Sequence, residues 1–179
     1  TLAKRVKEHP ASWDLQNKGT PGLVDGLQAS GMLPTRNFRS GAFEDVDGLR
    51  WAAYEKEILT ARRSCYACAV RCKREVAAHD RYEVSDAYVA GFGSACGIGD
   101  IQAVAKANEL CNRYTLDAIS TSVTIAFAME CFEHGLIGPA DTGGIDLRFG
   151  NAAAMLAVVE QIAHREGIGD LLAEGSRRA

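Results

Sequence analysis

Apolar residues recur along most of this chain at three- and four-residue intervals, the spacing that gathers them on one face of an α-helix. The most apolar stretch follows Asp117. From residue 123 to 132 almost every face carries an apolar side chain, which predicts a central, buried helix with Asp117 as its N-cap. In the segment before it, Ile101, Val104, Ala105 and Leu110 share one side, behind Asp100 as cap. A further amphipathic pattern covers residues 46–63, with Leu49, Ala52, Ala53, Ile58 and Leu59 apolar and Asp47 as its cap. Thr20 as N-cap and Pro21 in the first turn open a helix toward Gly31. Residues 1–9 read as helix up to Pro10, and residues 86–95 as helix broken at Gly97 and Gly99. Gly135 and Leu136 fit a glycine helix stop with its hydrophobic contact. Asn151 caps a helix running to Gly167, where Ile168 makes the same contact, and Asp170 starts the last one. Strand-like alternation is nowhere sustained over six residues, though KREVAAHDRYEV after Cys72 holds either a strand pair or a loop. The expectation is an all-α, multihelical fold of about seven helices with little or no sheet.

Composition narrows the function more than the fold. The chain has 179 residues, 47% hydrophobic and 24% charged, enough for one domain with a real core or two small ones. A net charge of −3 argues against an electrostatic nucleic-acid binder, and no run of roughly 18 apolar residues offers a membrane span. Thr1 is not an initiator Met, TLAKRVKEHP has no signal-peptide core, and LLAEGSRRA stops inside what reads as helix. We therefore expect a segment of a longer, cytoplasmic protein. Residues 32–43 form a loop of about 12 residues, a length at which loops tend to be functional or to drape over another surface.

Of the six cysteines, Cys65, Cys68 and Cys72 cluster, while Cys96, Cys111 and Cys131 stand apart. In a reducing compartment, grouped cysteines are more often metal ligands than disulfides. Three thiolates at these spacings converge on one point if the chain curls around it, and their softness selects an iron–sulfur cluster or zinc. Arg62, Arg63, Arg71, Lys73 and Arg74 flank them; cations lower thiol pKa values and offset the charge of a cluster. Three readings stand open: a cubane 4Fe–4S cluster, a structural zinc site closed by His79, or free thiols at a helix end. Cys131, in the apolar helix, reads as a small core hydrophobe. Cys96 and Cys111 stand next to turns, as ligands or as buried thiols.

Three segments carry a resemblance specific enough to name: GTPGLVDGLQASGMLPTRNF, SCYACAVRCKR, and GSACGIGD followed by LCNRYTLDAISTSVTIAFAMECFEHGLI. Together with the closing LLAEGSRRA they resemble, in order over essentially the whole chain, the tungsten-dependent aldehyde:ferredoxin oxidoreductase family. The likeness is to its second domain and the start of its third. On that resemblance residues 1–179 divide into a helical domain with the cysteine motif (about 1–135) and the beginning of the next (about 136–179). It implies oxidation of aldehydes to carboxylic acids at a tungsten or molybdenum bis-pterin, with electrons leaving through a 4Fe–4S cluster to ferredoxin. Cys65, Cys68 and Cys72 match the first three cluster ligands; the fourth in the family lies beyond Ala179. The implied partners are the remainder of the chain, a ferredoxin-like acceptor drawn to the basic flank, and a small aldehyde or related substrate. Neither nucleic acid nor membrane is among them.

The family's first pterin motif, D-x-x-G-L-D, falls on residues 112–117, NRYTLD. Leu116 and Asp117 match, whereas Asn112 replaces Asp and Thr115 replaces Gly. A pterin presents a row of N–H donors, for which a carboxylate is the natural acceptor; Asn112 keeps one carbonyl acceptor without the charge. By count, the catalytic Glu that some members carry falls on Ala87, with Asp86 adjacent and Glu83 nearby, and the family's E-x-x-H iron motif is not in this segment. That departure admits another reaction on the same scaffold, of the benzoyl-coenzyme A reductase tungsten-subunit type. A zinc-stabilised helical interaction module is the non-catalytic alternative. The remaining candidates read as structural: His134 and His164 at helix C-termini, Trp13 and Trp51 as packing anchors, Asp45 and Asp47 as a solvated loop and a cap.

Overall fold

The computed structural model describes residues 1–78, 81–85 and 89–179, without the side chains of residues 11, 78 and 81–85. Among them helices dominate: α1 (Leu2–Glu8), α2 (Pro10–Lys18), α3 (Val24–Ala29), α4 (Trp51–Glu57), α5 (Ile101–Arg113), α6 (Ala118–Glu133), α7 (Ala152–His164) and α8 (Ile168–Leu172). The sheet is small, as expected. Three antiparallel strands, β1 (Leu59–Arg62), β2 (Arg74–Ala78) and β3 (Arg81–Ser85), lie in the order β1-β2-β3.

The helical centre follows from its caps and its apolar faces. Asp100 accepts hydrogen bonds from the Gln102 and Ala103 amides, Asp117 from Ser120 at 2.6 Å and Asn151 from Ala154 at 3.1 Å, satisfying amide donors that a first helical turn leaves without partners. Helix α5 packs Ile101, Val104 and Leu110 inward. Helix α6 buries Ile125, Ala126, Ala128 and Met129, and α7 contributes Met155, Val158 and Val159. These side chains belong to one continuous core that reaches from Val24 to Leu172.

Several boundaries differ from expectation. Residues 46–63 are not one helix: a 3-10 turn, Val46–Leu49, gives way at Arg50 to extended backbone, α4 follows, and Leu59–Arg62 is a strand. Asp47 makes no cap; its carboxylate takes the Arg50 guanidinium at 2.8 Å. The strand forms because residues after Ile58 find backbone partners in β2, beginning with the Ala77 amide on the Ile58 carbonyl at 2.8 Å. Four- and five-residue strands fall below a six-residue test for alternation, so periodicity missed β1 while composition exposed the β2–β3 pair. Pro10 begins α2 rather than ending a helix, a position that suits its missing N–H. Thr20 enters a 3-10 turn, Thr20–Leu23, behind Gly19 and makes no side-chain cap. Of the segment expected helical over 86–95, residues 86–88 lie outside the description; the rest is a π turn, Val89–Gly93, and a 3-10 turn, Ser94–Cys96. Helix α7 stops at His164, and Gly167 caps the start of α8, which buries Ile168. Gly135 does stop α6 at φ +68°, but Leu136 remains exposed.

Candidate metal and cofactor site

The sheet serves the cysteine motif directly. Strands β1 and β2 pair Arg62 with Arg74, the Arg63 amide bonds the Lys73 carbonyl at 2.8 Å, and the chain between them is the loop that carries all three cysteines. Within the loop the Cys68 amide donates to the Cys65 carbonyl at 3.1 Å, and Ala67 and Arg71 adopt left-handed φ values of +54° and +57°. Such turns curl the chain back on itself. Cys65 is exposed, and Cys68 and Cys72 are half-buried. The backbone amide of Arg71, then that of Val70, stabilises the Cys68 thiolate and holds its pKa below that of a free thiol. No three thiol, imidazole or carboxylate groups among the described residues stand close enough to hold a metal ion. The loop therefore carries the donors without gathering them. As a donor set, three accessible thiols with one already shifted toward thiolate fit an iron–sulfur cluster or zinc, and fit no hard cation. His79, the candidate fourth zinc ligand, lies outside the described residues.

The basic flank is smaller than the sequence implies. Arg62 is held by Glu55 at 2.9 Å and lies 5.9 Å over the Trp51 ring, while Arg63 forks onto Glu75 at 2.8–2.9 Å. Arg74 is fully buried and cannot belong to a surface patch. Its guanidinium donates to backbone carbonyls, a role that charge counting along a sequence does not reveal. Exposed Arg71 and half-buried Lys73 remain.

Of the other three cysteines, Cys96 and Cys111 are buried in the core. Burial drives the Cys96 thiol far up and pushes Cys111 up to about 12. Cys96 approaches the Ser122 carbonyl at 3.7 Å. Neither is a ligand candidate; both are buried thiols. Cys131 is half-buried rather than a core residue, its thiol raised by burial and then by Glu130.

Residues 112–117 form the corner between α5 and α6. The Leu116 amide reaches back to the Cys111 carbonyl at 2.8 Å and the Thr115 amide to Asn112 at 3.3 Å, the paired bonds of a helix stop that places its middle residue at positive φ. That residue is Thr115, at φ +57°. Helix α6 ends in the same way, with Leu136 on Cys131 at 2.9 Å and Gly135 on Phe132 at 3.0 Å, but with glycine in the strained place. The glycine of the family motif thus has a conformational reason, and Thr115 occupies that conformation at a cost of about 1 kcal/mol. Asn112 and Thr115 are exposed and Leu116 is half-buried. The Ser120 amide, then its hydroxyl, holds the Asp117 carboxyl below the usual carboxylate range. Asp117 lines two cavities. One of about 360 Å³ is shared with Leu116, Ser120, Thr124 and Arg165; the other, about 380 Å³, is largely apolar and lined by Pro21, Val24, Leu27 and Val89. Leu116 and Asp117 line the first cavity and Asp117 the second, whereas Asn112 and Thr115 line neither; the ionised Asp117 carboxylate fits the N–H donors of a pterin chemically.

Other candidates take structural places. His134 pairs with Glu130 at 4.0 Å and His164 with Glu160 at 3.6 Å, both at helix C-termini; His164 also meets Tyr114 edge-on at 5.1 Å. Trp51 stacks on Tyr54, but Trp13 is 64% exposed and anchors no core. Asp86 and Ala87 lie outside the described residues, and of Glu83 only the backbone is described. Sequence reasoning missed Glu109, a carboxylate buried inside α5 and gripped by Arg113 at 2.6 Å and Lys106 at 3.0 Å. Its signal was present: cations three residues before and four after a glutamate on an apolar helix face.

A mostly helical chain whose small sheet presents a three-cysteine loop, and whose α5–α6 corner sets an ionised carboxylate at two cavities, carries the side chains of a soft-metal and a polar-ligand site. Residues 1–179 match the profile of aldehyde ferredoxin oxidoreductase, domains 2 and 3, and the chain belongs to that family. It is 34% identical over 185 residues to the tungsten-containing aldehyde ferredoxin oxidoreductase of Pyrococcus abyssi, covering 99% of this chain and 30% of that protein. The enzyme of the same name from Thermococcus kodakarensis is 35% identical over 176 residues, covering 94% of this chain and 28% of the relative. The chain thus spans about 30% of the length of these relatives. Among solved structures, the active site complex BamBC of benzoyl coenzyme A reductase, in complex with 1,5 dienoyl-CoA, superposes with a TM-score of 0.65 at 23% identity. It covers 97% of this chain and 24% of that one, a likeness of fold.

Proposed function

We propose that this chain is the cluster-bearing part of a cytoplasmic oxidoreductase that converts aldehydes to carboxylic acids. Cys65, Cys68 and Cys72 would hold three corners of a 4Fe–4S cluster, and Asn112, Thr115, Leu116 and Asp117 would face a tungsten or molybdenum bis-pterin. The observation that carries the reading is the loop itself: three thiols on one β1–β2 hairpin loop, Cys65 exposed and Cys68 and Cys72 half-buried, in a chain of this family. When bound, the pterin metal supplies the two-electron oxidation, and the cluster takes the electrons singly to a ferredoxin-like acceptor.

The chain's own residues bind and orient. The amides of Arg71 and Val70 lower the pKa of the Cys68 thiol, toward the thiolate form that ligates iron. Asp117 is ionised at neutral pH like any ordinary aspartate, with Ser120 holding its carboxyl lower still, and it is an acceptor for ring N–H donors while capping α6. Exposed Arg71 offers an acidic acceptor an attractive contact beside the loop. The remainder of the polypeptide would complete the cofactor site and supply the fourth cysteine.

A second reading keeps the scaffold and changes the reaction. It rests on Ala87 standing at the position of the family's catalytic Glu, and on the fold shared with benzoyl coenzyme A reductase. The test is aldehyde-dependent reduction of a viologen dye by the anaerobically purified full-length protein. Turnover with simple aldehydes is expected. A protein that carries tungsten and iron yet reduces no dye with any aldehyde supports the second reading, and one with stoichiometric zinc and no iron supports the interaction module.

A further inference from the structure

Arg74 opens β2 two residues after Cys72, and it is the largest fully buried side chain among the described residues. Its Nη1 donates to the carbonyls of Lys73 at 2.7 Å and Arg71 at 3.2 Å, both in the cysteine loop. Its Nη2 donates to Leu15 and Gln16, each at 3.0 Å, in the last turn of α2. On the other side of the loop Arg62 donates to the next carbonyl of that turn, Asn17, at 2.9 Å. The backbone is pressed into the same contact: a Cβ on Gly19, at φ +68°, would come 2.7 Å from the Cys72 carbonyl and 3.3 Å from the Arg74 guanidinium. Terminal carbonyls of a helix lack partners within it and carry its negative dipole end, so two guanidinium groups are well matched to them.

We infer that Arg74 is a positioning residue for the cysteine loop: with Arg62 it fastens both ends of the loop to the C-terminus of α2 and fixes where Cys72 presents its sulfur. The inference rests on the cluster reading of Cys65, Cys68 and Cys72. A planar fork reaches two pairs of carbonyls at once; an ammonium, with its donors on one atom, does not. Arg74→Lys therefore keeps the charge and loses the span.

The test measures iron release from the anaerobically purified full-length protein to a colorimetric chelator, together with the midpoint potential of the cluster. Arg74→Lys is compared with Met129→Ala, a cavity in α6 far along the sequence, and with Arg62→Gln, a half-exposed clamp residue that leaves the core intact. Arg74→Lys is expected to lose iron at least about tenfold faster than wild type, in the range that supporting residues of metal sites command. Arg62→Gln should show a smaller effect in the same direction, with the potential shifted in both, while Met129→Ala loses thermal stability and keeps the wild-type release rate and potential. If Arg74→Lys does not fold, Arg62→Gln decides alone. Wild-type release and potential in the clamp variants, with a cluster present in the wild type, overturn the inference and leave the cluster reading standing. A wild-type protein without iron overturns both.

Discussion

Five of the six cysteines fall into two environments, three in the loop and two in the core, with half-buried Cys131 intermediate. The contrast separates thiols open to a ligand from thiols sealed away. In the β1–β2 loop the thiols reach solvent, the backbone turns through left-handed φ at Ala67 and Arg71, and amides lower the pKa of Cys68. In the helical core Cys96 and Cys111 are sealed among apolar side chains and their pKa values climb. A thiol is a ligand only as thiolate, so the same side chain is reactive in one region and inert in the other. The core's inertness is useful in its own right: α5 and α6 fix the 112–117 corner, and the sheet fixes the loop.

Replacement of ligands should break the contrast most strongly. Cys68→Ser should abolish or degrade the cluster, with iron content and absorption near 400 nm falling together. Cys96→Ser should keep both and lower unfolding stability by about 1 kcal/mol, the cost of a buried hydroxyl. Equal colour loss in the two variants would erase the distinction between regions.

Alkylation of the metal-free protein sharpens it. Cys111, its thiol pushed up to about 12 by burial, is almost wholly protonated at pH 8. Mass-spectrometric footprinting should find Cys68 modified at least about a hundredfold faster than Cys111, with Cys96 and Cys111 reacting only on unfolding. Comparable rates in the folded protein would contradict the assigned environments.

Glu109 is a buried carboxylate in α5. Burial works to raise its pKa, but Arg113 and Lys106 outweigh burial and bring it below the usual value. Its contribution is therefore complete above the unfolded carboxylate pKa and disappears as pH falls through the lower folded value. Glu109→Gln should cost about 2 kcal/mol at neutral pH. In urea titrations against pH the difference from wild type should shrink in acid, and a pH-independent difference would point to packing alone.

The smallest effect concerns the helix stops. Thr115→Gly should stabilise the fold by about 1 kcal/mol, while Gly135→Ala should destabilise it by a similar amount. Thermal unfolding of the pair decides. A destabilised Thr115→Gly would mean that the threonine makes a contact worth more than its strain.

Much of this was legible in the sequence. Asp100, Asp117 and Asn151 cap the helices they were expected to cap, and SCYACAVRCKR marked the loop. What escaped depended on long-range pairing. β1 reads as helix because Ile58 and Leu59 also fit a helical stripe, and only the partner strand at residues 74–78 makes it extended. Arg74 reads as one of five surface cations, yet its carbonyl partners in α2 lie 58 and 59 residues away. The positive φ of Thr115 was hinted at only by the glycine of the family motif.

The central claim is that the β1–β2 loop carries an iron–sulfur cluster. The most direct measurement is low-temperature electron paramagnetic resonance of the dithionite-reduced, anaerobically purified full-length protein, beside its Cys68→Ser and Cys96→Ser variants, with iron and acid-labile sulfide assayed on the same samples. The account predicts a reduced-cluster signal with about four iron and four sulfide per chain, present in Cys96→Ser and lost or altered in Cys68→Ser. An unchanged signal in Cys68→Ser, or a wild-type protein that holds zinc and no labile sulfide, would contradict it.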